Sequence, residues 1–187
     1  MKVYLKAKMS LVIILMFITF GFSLLSVGDV FGSDVETEGD ILAIAIPAVA
    51  TGMILAHKDK DGFGQFVEVM GATAIVTLGL KQLIDKKRPN GESQSFPSAH
   101  TSLAFAGAGF IQQRYGWKYG IPAYLGASFV GWSRVDAKQH YTEDVLAGAA
   151  IGIVSNLIFT KRYQDKKVVV NFAPIEKGAA VTISLFW

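Results

Sequence analysis

The sequence predicts an all-α helical bundle of about five core helices, following an N-terminal signal or anchor segment and ending in a short C-terminal β-hairpin. Three observations carry this prediction. Of the 187 residues, 51% are hydrophobic and 18% are charged. Mean hydropathy is +0.39. Apolar runs without strand-like alternation recur between short charged connections. Disordered and collagen-like chains have a different composition, and the 19 glycines suit close helix packing of the kind found in membranes. The length fits one domain. The absence of cysteine excludes disulfides, thiolate metal sites and thiol nucleophiles. A net charge of +3, spread along the chain, gives no basic patch for nucleic acid.

Taken in order, Lys2, Lys6 and Lys8 precede an uncharged apolar run over 11–27. Residues 1–32 therefore read as a signal peptide cleaved after Gly28 or Gly32, or as an uncleaved anchor. Both readings leave the acidic stretch 34–40 outside the cytoplasm. The main domain spans 33–167, with apolar stretches over 41–56, 63–80, 98–112, 119–132 and 145–160. Helices of that length reach roughly 21–27 Å, somewhat short of a 30 Å hydrocarbon core. Composition favours a membrane bundle, while length is also compatible with a soluble all-α domain. Alternating crossings put the cationic run 161–167 inside, as the positive-inside rule expects. They place 81–97 and 133–144 outside, although both carry many cations. Residues 168–187 alternate apolar and polar positions around 174–178, which reads as a hairpin.

The chemistry-bearing residues sit on the connections assigned to the outer face. Lys81 and Arg88 are seven apart, so on a continuing helix ended by Pro89 they would share a face and converge on a small anion. Alone, such a helix end is an ordinary interfacial collar. Pro97-Ser98-Ala99-His100 opens the next apolar stretch, where free backbone N–H groups bind anions, although Ser there also serves as a cap. Arg134 ends a helix, and His140 and Asp144 are four apart, which lets a carboxylate orient an imidazole. A capping Thr142 explains the acidic first turn but leaves His140 without a role. His57, in a loop rich in Lys and Asp, reads as a surface residue.

Together the three clusters resemble the type 2 phosphatidic acid phosphatase superfamily. Its pattern is Lys, six residues, Arg-Pro; then Pro-Ser-Gly-His; then Ser-Arg, five residues, His, three residues, Asp. Lys81, Arg88-Pro89, Pro97-Ser98, His100, Ser133-Arg134, His140 and Asp144 match it with every internal spacing right, and Ala99 replaces the Gly. The resemblance implies a helical-bundle fold and a metal-independent phosphatase without cofactors. It implies a phosphate cradle of Lys81, Arg88, Arg134, Ser98 and the Ala99 amide. His140 would be the nucleophile, Asp144 its orienter, and His100 the acid–base group. The expected partners are a phospholipid, polyprenyl or lipid A phosphate and the membrane, with the site on the periplasmic side of a bacterial inner membrane. Alternatives are a soluble periplasmic acid phosphatase or a vanadate haloperoxidase of the same superfamily, and a non-catalytic bundle whose glycines serve only packing.

Overall fold

A computed structural model describes residues 35–164, 167–175 and 178–186. The expected signal or anchor segment lies outside the described residues. Five helices follow one another: α1 (Val35–His57), α2 (Lys60–Leu83), α3 (Ala99–Tyr115), α4 (Trp117–Asp136) and α5 (Thr142–Phe159). They match the five predicted stretches, with Ser98 and Thr160 standing as caps just outside their helices, and each helix runs past its apolar stretch at one end or both.

The ends have local causes. Asp59 caps α2 by accepting the Gly62 N–H at 2.9 Å. Ser98 caps α3, so Pro97 lies just before the cap rather than inside the first turn. Tyr141, not Thr142, is the N-cap residue of α5, and its amide donates to the Asp144 side chain at 3.0 Å. Between α3 and α4 stands Gly116 at φ +96°, a left-handed conformation that reverses the chain and favours glycine.

One expectation is corrected. Helix α2 ends at Leu83, six residues short of Pro89, so Lys81 and Arg88 do not share a continuous helical face. The chain folds back on itself instead. Ile84 is extended, the Ser95 N–H donates to the Lys86 carbonyl at 2.7 Å, and the Arg88 N–H donates to the Glu92 carbonyl at 2.7 Å. That loop brings Arg88 to the site by a different route.

Helix α3 packs against all four other helices. Ala104, Ala106, Ala108, Phe110 and Ile111 on it are fully buried. Large apolar side chains point outward from α1, α2, α4 and α5, among them Ile44, Ile75, Leu125 and Leu157. Among the described residues α3 has none. A bundle that is apolar on its outside as well as inside is built for lipid. Helices α1, α2 and α5 are each long and apolar enough to cross a membrane.

Where lipid replaces water, helices associate through close packing of small residues. A Cβ on Gly152 would lie 2.6 Å from the Ala106 amide nitrogen and 2.7 Å from the Ser102 carbonyl oxygen, so α5 meets α3 backbone to backbone. At the end of the bundle away from the motifs, Asp59 and Arg114 form a buried bidentate pair, and Tyr115 donates to the same carboxylate at 3.1 Å. Burial works against the Asp59 charge, but the Arg114 guanidinium outweighs it and holds the carboxyl below its ordinary range. His57 belongs to this cluster and is not a free surface residue. Its ring stacks 5.0 Å from Tyr115 because the last turn of α1 packs on the end of α3.

The tail forms the expected antiparallel hairpin, β1 (Lys167–Ile175) with β2 (Gly178–Phe186), with Val170 opposite Ile183.

Candidate active site

The three motif clusters and the start of α1 meet at one end of the bundle. They surround a cavity of about 250 Å³ lined by Glu36, Asp40, Arg88, Glu92, His100, Arg134, Gln139 and His140. Four of the eight predicted site residues line it: Arg88, His100, Arg134 and His140. Lys81, Ser98, Ala99 and Asp144 do not line it.

Arg134 lies in the last turn of α4 and is fully buried. Its guanidinium donates to Asp40 Oδ1 at 2.6 Å, to the Glu36 carbonyl and to the Ser133 hydroxyl. Gly39 permits this approach, since a side chain there would collide with Ser133 and Arg134. Asp40 also stands 3.2 Å from His100 Nε2. One carboxylate thus faces both a guanidinium and an imidazole. Arg88 donates to Gln139 Oε1 at 2.6 Å and to Glu92 at 3.0 Å.

His140 is buried behind this front. Its Nδ1 has no hydrogen-bond partner and lies 3.9 Å from Asp144 Oδ2, in line with the carboxylate but beyond hydrogen-bond reach. Burial, reinforced by the charges of Lys81 and Arg88, pushes the imidazole down to about 4, so it is neutral at pH 7. A neutral imidazole is the form in which a histidine can act as a nucleophile. Asp144 is wholly buried and accepts from Lys86, the Ser95 hydroxyl and the Tyr141 amide.

Lys81 donates to the Gln94 carbonyl at 2.6 Å and acts on His140 through its charge. The Ser98 oxygen accepts from the Thr101 hydroxyl at 3.0 Å, fixing the start of α3 and hence the position of His100. Among the described residues no group of three or more His, Cys, Asp or Glu side chains is placed to hold a metal ion.

The sequence reading missed Glu36, Asp40, Glu92, Gln139, Lys86 and Ser95. Glu36 and Asp40 carried a usable signal: two acids four apart at the head of an apolar helix share one face. Lys86 and Ser95 carried none, because only the fold-back of the loop brings them to Asp144.

An apolar-sheathed bundle with two guanidinium groups and two histidines around one small cavity defines a class, a phosphatase set in a membrane protein. The chain belongs to the PAP2 superfamily, whose family model matches residues 62–167. It is 32% identical over 144 residues to the lipid A 4'-phosphatase of Helicobacter pylori, an alignment covering 71% of this chain and 72% of that protein. It is 40% identical over 91 residues to the lipid A 1-phosphatase of Porphyromonas gingivalis, spanning 42% of this chain but 20% of that protein's length. Among solved structures, the crystal structure of Aquifex aeolicus LpxE superposes with a TM-score of 0.51 at 23% identity, covering 64% of this chain and 83% of that one, which supports the shared fold.

Proposed function

We propose that this protein hydrolyses a lipid phosphate at the periplasmic face of a bacterial inner membrane through a phosphohistidine intermediate, without a metal ion. The observation that carries the reading is the convergence of Arg88, Arg134, His100 and His140 on one cavity at one end of the bundle. A phosphomonoester dianion entering it takes Arg134 and Arg88 from Asp40, Glu92 and Gln139, with Lys81 adding charge from behind. A lipid places its phosphate at headgroup depth while its tails stay against the apolar sheath. The relatives' lipid A substrates make a lipid A phosphate the first to test, ahead of other phospholipid or polyprenyl phosphates.

The chemistry then runs in two steps. Nδ1 of His140 faces Asp144, leaving Nε2 for phosphorus. As the P–N bond forms, the P–O bond to the leaving group breaks, and the departing oxygen takes a proton from His100. Water then loses a proton to His100, attacks phosphorus and breaks the P–N bond. Asp144 stabilises the charge that His140 acquires.

The test is phosphate release by purified protein from lipid A phosphates, phosphatidic acid, polyprenyl diphosphate and water-soluble phosphates, with EDTA present. His140→Ala is expected to lose at least about 10³-fold in kcat while still folding, with a cooperative thermal unfolding transition. Retained activity in that variant removes His140 as nucleophile, and activity that needs an added divalent ion removes the metal-independent route.

A further inference from the structure

Asp144 has both carboxylate oxygens engaged. Oδ1 receives Lys86 Nζ at 2.6 Å, while Oδ2 receives the Ser95 hydroxyl and the Tyr141 amide. Lys86 also donates to Glu143 at 2.7 Å and sits 4.5 Å from the centre of the Tyr141 ring. Lys86 lies outside the three motifs, among the residues that merely space Lys81 from Arg88. We propose that Lys86 is a positioning residue that keeps Asp144 ionised and aimed at His140, and so sets the lower pH limit of the reaction. The inference rests on the phosphatase reading above, with His140 as nucleophile.

The physical argument concerns a buried carboxylate. Taken out of water with only neutral donors, it takes up a proton at higher pH. Ser95 and Tyr141 hold Oδ2 in place but bring no charge. Lys86 brings a full positive charge, and Asp144 and Glu143 in return outweigh its partial burial and hold its ammonium above the ordinary range. Lys81 also acts on Asp144 through its charge.

Around His140, Lys81 and Arg88 oppose protonation, and Asp144 favours it. From α3 and α4, His100 and Arg134 face the same cavity, with Glu36, Asp40 and Glu92 at its walls. Losing Lys86 therefore lets Asp144 take up its proton at higher pH, and a neutral Asp144 no longer stabilises the charge that His140 acquires, so the reaction stops sooner as the solution is acidified.

The experiment measures kcat/KM for phosphate release from phosphatidic acid in detergent micelles between pH 3 and 9, using the full chain. In Lys86→Met the acid limb is expected to move up by about one pH unit or more. At pH 3, below both limbs, that variant then falls about 10-fold further behind the wild type than at pH 8. Lys86→Arg is expected to restore the wild-type limb. Ser95→Ala, which removes a neutral donor to the same carboxylate, is expected to move it the same way by less.

A Lys86→Met profile scaled by one factor at every pH overturns the proposal, as does an unmoved limb in both Lys86→Gln and Ser95→Ala should the methionine variant fail to fold. Failure of the underlying reading looks different: the wild-type protein itself would release no phosphate from any lipid or soluble substrate.

Discussion

Arg134 shows how much one side chain carries here. It is buried, it fixes Glu36 and Asp40 of α1, and it is the guanidinium proposed to meet the phosphate. Arg134→Lys is expected to reduce kcat/KM by about 10²-fold or more, since an ammonium cannot reproduce a planar, two-pronged donor. Steady-state kinetics on the best substrate of the screen checks this, and near-native values would remove Arg134 from the phosphate seat. His140 makes a separate prediction about stability. Its folded-state pKa of about 4 lies below the ordinary 6.5, so the unfolded chain takes up this proton first as pH falls. The stability contributed by the neutral ring is present above 6.5 and is lost progressively down to about 4. Melting temperatures measured across that window should fall more steeply for the wild type than for His140→Gln. Parallel curves would mean that the ring is not buried as described.

At the scale of elements, the spacing between His100 on α3 and Asp144 on α5 is set by how closely the two helices approach. Gly152 sits where α5 touches the α3 backbone, and neither the Ala106 amide nor the Ser102 carbonyl can move aside as a flexible side chain would. Gly152→Val is expected to cost about 1–3 kcal/mol in stability. It should also lower kcat, because Asp144 rides on α5 and His100 on α3. Unfolding and kinetics measured on the same preparation check both, and a fully stable, fully active variant would refute the close approach.

What the sequence revealed follows the same division. The helices were legible because each is a long apolar run between charges, and Arg88, His100, Arg134 and His140 were legible because their spacing is particular. The acids of α1 were not, since Asp40 reaches Arg134 across 94 positions of sequence. Nor was the end of α2, which is followed not by helix up to Pro89 but by a loop folded back through its own hydrogen bonds, Ser95 to Lys86 and Arg88 to Glu92.

For the whole molecule, the alternation of five helices puts the start of α1, the α2–α3 loop and the α4–α5 loop at the site end. The α1–α2 and α3–α4 connections and the exit from α5 lie at the other end. Because the chain has no cysteine, a single Cys introduced anywhere is a unique label. In intact cells with a permeabilised outer membrane, an impermeant maleimide is expected to react with Asn90→Cys and not with Lys58→Cys. The reverse pattern would place the site on the cytoplasmic face. The protein is also expected to stay with the membrane fraction after osmotic shock, as its outward-facing Ile44, Ile75 and Leu157 require. Release into the shock fluid would favour the soluble alternative.

The α1 contacts carry one practical consequence. The stretch shared with the family starts at residue 62, downstream of the helix that bears Glu36 and Asp40. A fragment trimmed to those shared borders would keep every motif yet leave the Arg134 guanidinium without its closest carboxylate and the pocket without one of its sides. Such a piece should be judged a different reagent from the parent chain, and silence from it in an assay would say nothing about the intact protein.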